Sequence, residues 1–311
     1  MPIQLAKAKS VSAMWLSMVM SALLVLFMQT VAASEYFKIQ HQGVERYALV
    51  RAPASLVGTE KLPLVLVLHG GGGNAENIER MTGFTALAQR ERFIVVYPEG
   101  RGRFDHKLLT WNAGHCCGPA MQQRSDDVGF IRALLLALKT QYPIDAQRVY
   151  VTGISNGGMM AHRLGFELAD DITAIAPVVA TLFGDERLPA TPVSALIING
   201  MQDQSVPFDG GAPGGRFPDA WDGTPALPAM AQAEFWAKAN ACAATVNVSN
   251  TPLFQHGRYA CPPDVSLQFY FVRELGHAWP GGRKGSWRGD EPGQALDATT
   301  VIWTFFEPLR R

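Results

Sequence analysis

Five consecutive aliphatic residues, Leu64, Val65, Leu66, Val67 and Leu68, leave no polar side to face water. A strand of that composition must be covered on both faces, the condition met by a parallel sheet between layers of helices. Residues 46–50 open with alternation, and further strand-like runs fall at 93–97, 148–152, 172–179, 194–198 and 267–272. Helical periods lie between them, at 75–90, 127–140, 159–168, 230–240 and 294–306. Within 127–140, Val128, Ile131, Leu134, Leu135 and Leu138 form one stripe, and Ser125, Asp126 and Asp127 offer caps at its start. Strand alternating with helix predicts an α/β fold with a mostly parallel central sheet and helices on both faces. Residues 206–228, rich in Gly, Pro and Asp, break the rhythm and read as a long surface loop near the site rather than a linker. No repeat and no domain boundary is visible.

Residues 1–33 stand apart. Lys7 and Lys9 precede an apolar run over 13–28, and Val31, Ala32 and Ala33 make a small-residue cleavage site. This is the pattern of a secretory signal peptide, and the run is short for a membrane span. Cleavage after Ala33 predicts a secreted or periplasmic product, residues 34–311 as one catalytic domain, and no stable membrane anchor. The 27 basic residues of the chain equal its 27 acidic ones, so it has no electrostatic footprint for nucleic acid.

Export sets the reading of Cys116, Cys117, Cys242 and Cys261, an even set in an oxidising destination. Disulfides are expected rather than zinc, because no CxxC pair is present and adjacent cysteines make poor tetrahedral ligands. Cys242–Cys261 is the preferred pair, since it closes a local loop. Cys116 and Cys117 then bond to each other or stay reduced, and the crossed pairings remain open.

Gly153, Ile154, Ser155, Asn156 and Gly157 follow one expected strand and precede a helix, the setting of a G-x-S-x-G nucleophile elbow. Such a turn aims the serine at a helix N-terminus, whose amides favour developing negative charge. A serine nucleophile needs a base and an orienting acid, which follow it in the order acid, then histidine. Asp203 lies just after the 194–198 strand and His277 just after the 267–272 strand. Asp209 is the rival acid. His69 and His115 precede Ser155, and His162 reads as a packed helical histidine. His69 and the four glycines after it follow the 64–68 strand. Their free amides, Gly71 foremost, would bind an oxyanion together with the N–H of Asn156. No G-K-[ST] or G-x-G-x-x-G spacing supports a nucleotide site there. Trp111, on an aromatic, Cys-rich loop, and Trp279 are candidates to contact substrate. Asp126 and Asp127 read as a helix cap, not a metal site, and no metal or organic cofactor is expected. Asn247-Val248-Ser249 matches a glycosylation acceptor.

His69 to Gly73, Trp111 to Gly118, Asp126 to Phe130, Gly153 to Gly158, Val206 to Phe208 and Gly276 to Gly282 together resemble the polyhydroxybutyrate depolymerase-like esterases. That family is related to the feruloyl esterases of carbohydrate esterase family one. The resemblance spans about residues 36–309. It implies an α/β-hydrolase fold with Ser155, Asp203 and His277 as triad. It also implies an ester substrate: a polyhydroxyalkanoate, a feruloylated or acetylated polysaccharide, or a small ester. Polymer-degrading members often carry an extra substrate-binding domain, whereas only a short segment follows His277 here. Other readings are a feruloyl or acetylxylan esterase, a serine peptidase, and a non-catalytic secreted binding protein on a hydrolase scaffold.

Overall fold

A computed structural model describes Met1 and residues 36–54, 60–214 and 220–311. The expected signal peptide lies outside the described residues.

The chain opens with β1 (Phe37–His41), β2 (Val44–Arg51) and β3 (Leu62–Leu68), followed by helices α1 (Ala75–Thr82) and α2 (Phe84–Glu91). Next come β4 (Ile94–Pro98), α3 (Gly118–Gln122), α4 (Asp127–Gln141), β5 (Ile144–Ile154), α5 (Asn156–Glu167), β6 (Ala174–Val178) and β7 (Ser194–Gly200). The series ends with α6 (Ala229–Ala239), β8 (Val246–Asn250), β9 (Phe254–Tyr259), β10 (Leu267–Val272) and α7 (Ala298–Phe306). Among the described residues the strands form one ten-stranded sheet in the order β1-β2-β4-β3-β5-β6-β7-β10-β9-β8. From β4 to β10 the pairs are parallel. The flanking pairs β1–β2, β2–β4, β10–β9 and β9–β8 are antiparallel.

Strand β3 shows why the apolar run is continuous: all seven of its residues are buried. Leu62, Leu64, Leu66 and Leu68 point into one core with α4, α5 and α6. Val65 and Val67 point into the other, against α1, α2 and α7. Every strand expected from the sequence is present, while the short edge strands β1, β8 and β9 and helix α3 were not foreseen. The helix expected over 75–90 is two helices. Gly83, with φ +70, ends α1 and starts α2 in a left-handed conformation that a side chain disfavours. The helix expected over 159–168 begins earlier, at Asn156, and the last helix begins later, at Ala298.

Cys242 is disulfide-bonded to Cys261 across the β8–β9 hairpin, and Cys116 to its neighbour Cys117. Asp126 caps α4 by accepting from the Gly129 N–H at 3.0 Å, as expected. Asp127 instead pairs with buried Arg46 at 2.8 Å. Within 206–228, Trp221 pairs with Cys116 and the Asp222 N–H donates to His115 O. There the ring of His115 is held between Asp222 (2.7 Å) and Asp185 (3.0 Å).

Candidate active site

Ser155, Asp203 and His277 follow β5, β7 and β10, three strands that run in the same direction within the sheet. Their loops therefore leave the same edge, at the carboxyl ends of the strands. His277 Nε2 lies 2.8 Å from Ser155 Oγ, and His277 Nδ1 lies 2.7 Å from Asp203 Oδ2. The carboxylate accepts, so Nδ1–H donates to it and Nε2 is left to accept the serine O–H. Asp203 is buried, and its other oxygen accepts from the Ser205 and Val206 N–H groups at 2.7 and 2.9 Å. That pair of bonds turns Oδ2 toward the imidazole. The rival Asp209 is exposed.

Each side chain is held by its loop. Ser155 has φ 56 and ψ −127, a strained conformation for a non-glycine residue. Its N–H donates to Val178 O at 2.9 Å, which fixes the turn against β6. The glycines around it make the close approach possible. A Cβ on Gly153 would fall 2.6 Å from Gly157 O, and one on Gly157 would meet the carbonyls of His69 and Leu68. The Asp203 and His277 loops are tied together by the Gln202 N–H, which donates to Leu275 O at 3.0 Å. Asp290, which the sequence reading missed, accepts from the His277 N–H at 2.6 Å.

The glycine loop after β3 faces the elbow. The Gly72 and Gly73 amides are already engaged, donating to Leu109 O and Gly70 O. Gly70 and Gly71 lie beside the elbow: a Cβ on Gly70 would fall 3.5 Å from Ser155 Cβ, and one on Gly71 3.7 Å from Asn156 Cβ. His69 sets the loop from beneath. Its Nε2 accepts from the Gly100 N–H at 3.0 Å, so Nδ1 carries the proton and donates to Gly70 O at 2.8 Å. Burial lowers the His69 pKa to about 4, which keeps the ring neutral. The side chain of Asn156 is buried and structural: its Oδ1 accepts from the Trp111 N–H at 2.7 Å and its Nδ2 donates to Trp111 O at 3.0 Å. Its backbone N–H, in the first turn of α5, has no intrahelical acceptor.

Of the two tryptophans expected to contact substrate, Trp111 is corrected, and Trp279 is buried at the border of the cleft. Trp111 is 0 % exposed and its Nε1–H donates to His69 O, so no ring face is open to a ligand. Trp279 borders the cleft but is only 1 % exposed. Its ring packs edge-on to Phe84 and its Nε1–H donates to Thr299 Oγ1. Each indole finds its polar partner inside the protein, which is what permits burial. His162 is a packed histidine, as expected: it bonds Gln232 and accepts from the Trp236 Nε1–H.

Ser155 and His277 open into a cleft of about 540 Å³, walled by Gly70 to Gly73 on one side and by Arg283 and Asp290 on another. Residues 45–208, more than half of the chain, match the family described as Esterase PHB depolymerase. The chain belongs to this family. A relative from Nocardia uniformis subsp. tsuyamanensis, named "Putative esterase NocK", is 32% identical over 249 residues, covering 76% of this chain and 71% of its own length. Feruloyl esterase B of Piromyces equi is 30% identical over 249 residues, covering 77% of this chain and 44% of its own length. This chain thus matches less than half of that longer protein. Among solved structures, the acetyl xylan esterase from Aspergillus awamori aligns with a TM-score of 0.54 at 15% identity, over 78% of this chain and 94% of that one. At that identity the likeness speaks to the fold, an α/β-hydrolase. Membership of this family makes the chain a carboxylic-ester hydrolase. No helix among the described residues is long and apolar enough to cross a membrane.

Proposed function

We propose that the chain, after loss of residues 1–33, is a secreted or periplasmic single-domain serine esterase with Ser155 as nucleophile, His277 as base and Asp203 as orienting acid. Its substrates in this reading are hydroxyalkanoate or related esters. The observation that carries it is the unbroken relay from Ser155 Oγ to His277 to buried Asp203, at 2.8 and 2.7 Å. His277 takes the serine proton as Oγ attacks the ester carbonyl. Asp203 holds the ring and stabilises its charged form. The N–H groups of Gly71 and Asn156 receive the oxyanion. The alcohol leaves with the proton, and water activated by His277 then hydrolyses the acyl-enzyme. A second reading, a feruloyl or acetylxylan esterase, is favoured by the match to feruloyl esterase B over 77% of this chain.

Replacing Ser155 with Ala should lower kcat on p-nitrophenyl acetate by about 10⁶-fold and leave the circular dichroism spectrum unchanged. Retained turnover would remove Ser155 from the mechanism. Labelling by a fluorophosphonate separates an enzyme from an inert scaffold. Initial rates on hydroxybutyrate oligomers, methyl ferulate and acetylxylan decide between the two substrate classes.

A further inference from the structure

Two cations line the cleft that holds Ser155. Lys107 stands on the loop between β4 and α3, and Arg283 on the loop after His277. Among the described residues neither side chain has a carboxylate within ion-pair distance. Cations nearby differ in this respect: Lys284 pairs with Glu291 and Arg51 with Glu79. The cleft's one lining carboxylate, Asp290, accepts from the His277 N–H, so the lining carries two cations against one anion.

Both cations are carried by anchored backbone. Asn74, the N-cap of α1, donates from Nδ2 to His106 O at 2.7 Å, and the Leu109 N–H donates to Gly73 O at 3.1 Å. Lys107 is therefore flanked on both sides by fixed residues, and His106 is itself held 2.6 Å from buried Glu99. The Arg283 N–H donates to Met81 O at 2.8 Å, and Asn77 Nδ2 donates to Gly285 O at 2.9 Å. A single helix, α1, thus positions both loops. Unpaired like charges brought to one concave surface repel each other and raise the local potential, which attracts an anion.

We propose that Lys107 and Arg283 are specificity residues that recognise a carboxylate on the ester substrate while Ser155 attacks its ester carbonyl. The inference rests on the esterase reading of this cleft and names its substrate class: esters that carry an acid group. That group is either the free-acid end of a hydroxyalkanoate oligomer or a uronate beside an acylated sugar.

The test compares kcat/KM for matched charged and neutral esters. One arm sets 3-hydroxybutyrate trimer against its methyl ester, and the other acetylated oligogalacturonate against acetylated xylo-oligosaccharide. The wild-type enzyme should prefer the acid in one arm by roughly tenfold, as expected of two partly screened ion pairs. The arm showing the preference identifies the source of the acid. Raising salt from about 20 mM to about 500 mM should shrink the preference, because exposed charges are screened. Lys107→Gln with Arg283→Gln should bring the ratio to about one, and Lys107→Arg with Arg283→Lys should restore it. Turnover of the neutral methyl ester that Ser155→Ala abolishes establishes the esterase reading independently. Given that, equal rates on acid and neutral substrate in both arms, or a preference that survives the double Gln variant, would overturn the inference alone.

Discussion

Asp290 holds the proposed base by its backbone: its carboxylate accepts from the His277 N–H at 2.6 Å and fills the space a side chain at position 276 would need. A hydrogen bond to a charged acceptor contributes about 2 kcal/mol, enough to set the attitude of a loop but not to replace the base. Asp290→Ala should therefore lower kcat on a neutral ester by about tenfold with a smaller change in KM, and Asp290→Asn, which keeps an oxygen acceptor, should recover most of it. Wild-type kcat in the Ala variant would assign Asp290 no positioning role. Ser155, Asp203 and His277 were readable in the sequence because each follows an apolar strand and they come in a fixed order. Asp290 was not, since a side chain that bonds a backbone amide leaves no pattern of spacing or composition. The two tryptophans mark the converse limit. An aromatic beside a motif reads the same whether its face is open or packed, and only the internal partners of the Trp111 and Trp279 N–H groups tell them apart.

Among the elements, the elbow between β5 and α5 has the least room for change. Gly157 packs so closely on β3 that a Cβ there would meet backbone carbonyls, which cannot move aside as a flexible side chain can. Gly157→Ala should cost about 3 kcal/mol and lower Tm by roughly 5–10 °C in calorimetry. At Gly71 the nearest atom to an added Cβ is Asn156 Cβ at 3.7 Å, an ordinary contact, so Gly71→Ala should leave Tm almost unchanged. Equal melting of the two variants would sink this account of the elbow. The parallel centre was legible for the same physical reason that makes it tight: strands buried on both faces must be apolar throughout. The edges were not. In β8 no residue is buried, so nothing but pairing with β9 makes it a strand. The break between α1 and α2 was hidden inside a helical period that continues across Gly83, because periodicity reports which face is buried and not whether the axis bends.

For the molecule as a whole, two buried imidazoles set the response to acid. Burial lowers the pKa of both His69 and His162 to about 4. Unfolded, each takes up a proton near 6.5. Between those values the unfolded chain binds more protons than the folded one, so stability falls as pH drops. Each shift is worth up to about 3 kcal/mol. His115 works the other way: partial burial, which lowers its pKa, is outweighed by Asp185 and Asp222, and the net shift is upward. Its contribution is full below the unfolded value and is lost as pH rises through the raised folded one. That pair of contacts is largely in water and is worth under about 1 kcal/mol, so the two buried rings decide the sign. The Asp126, Asp145 and Asp222 carboxylates are partly buried, which raises them, but hydrogen bonds hold all three below their ordinary value. Their stabilisation is lost only under stronger acid, which leaves the interval from about pH 6.5 to about pH 4.5 to the histidines. Urea denaturation across that interval should show the midpoint falling steadily, while ring signals in NMR keep two histidines neutral at about pH 5. A flat midpoint, or His69 and His162 rings that titrate near 6.5, would mean that these side chains are open to water and that the glycine loop is not set by a neutral imidazole beneath it.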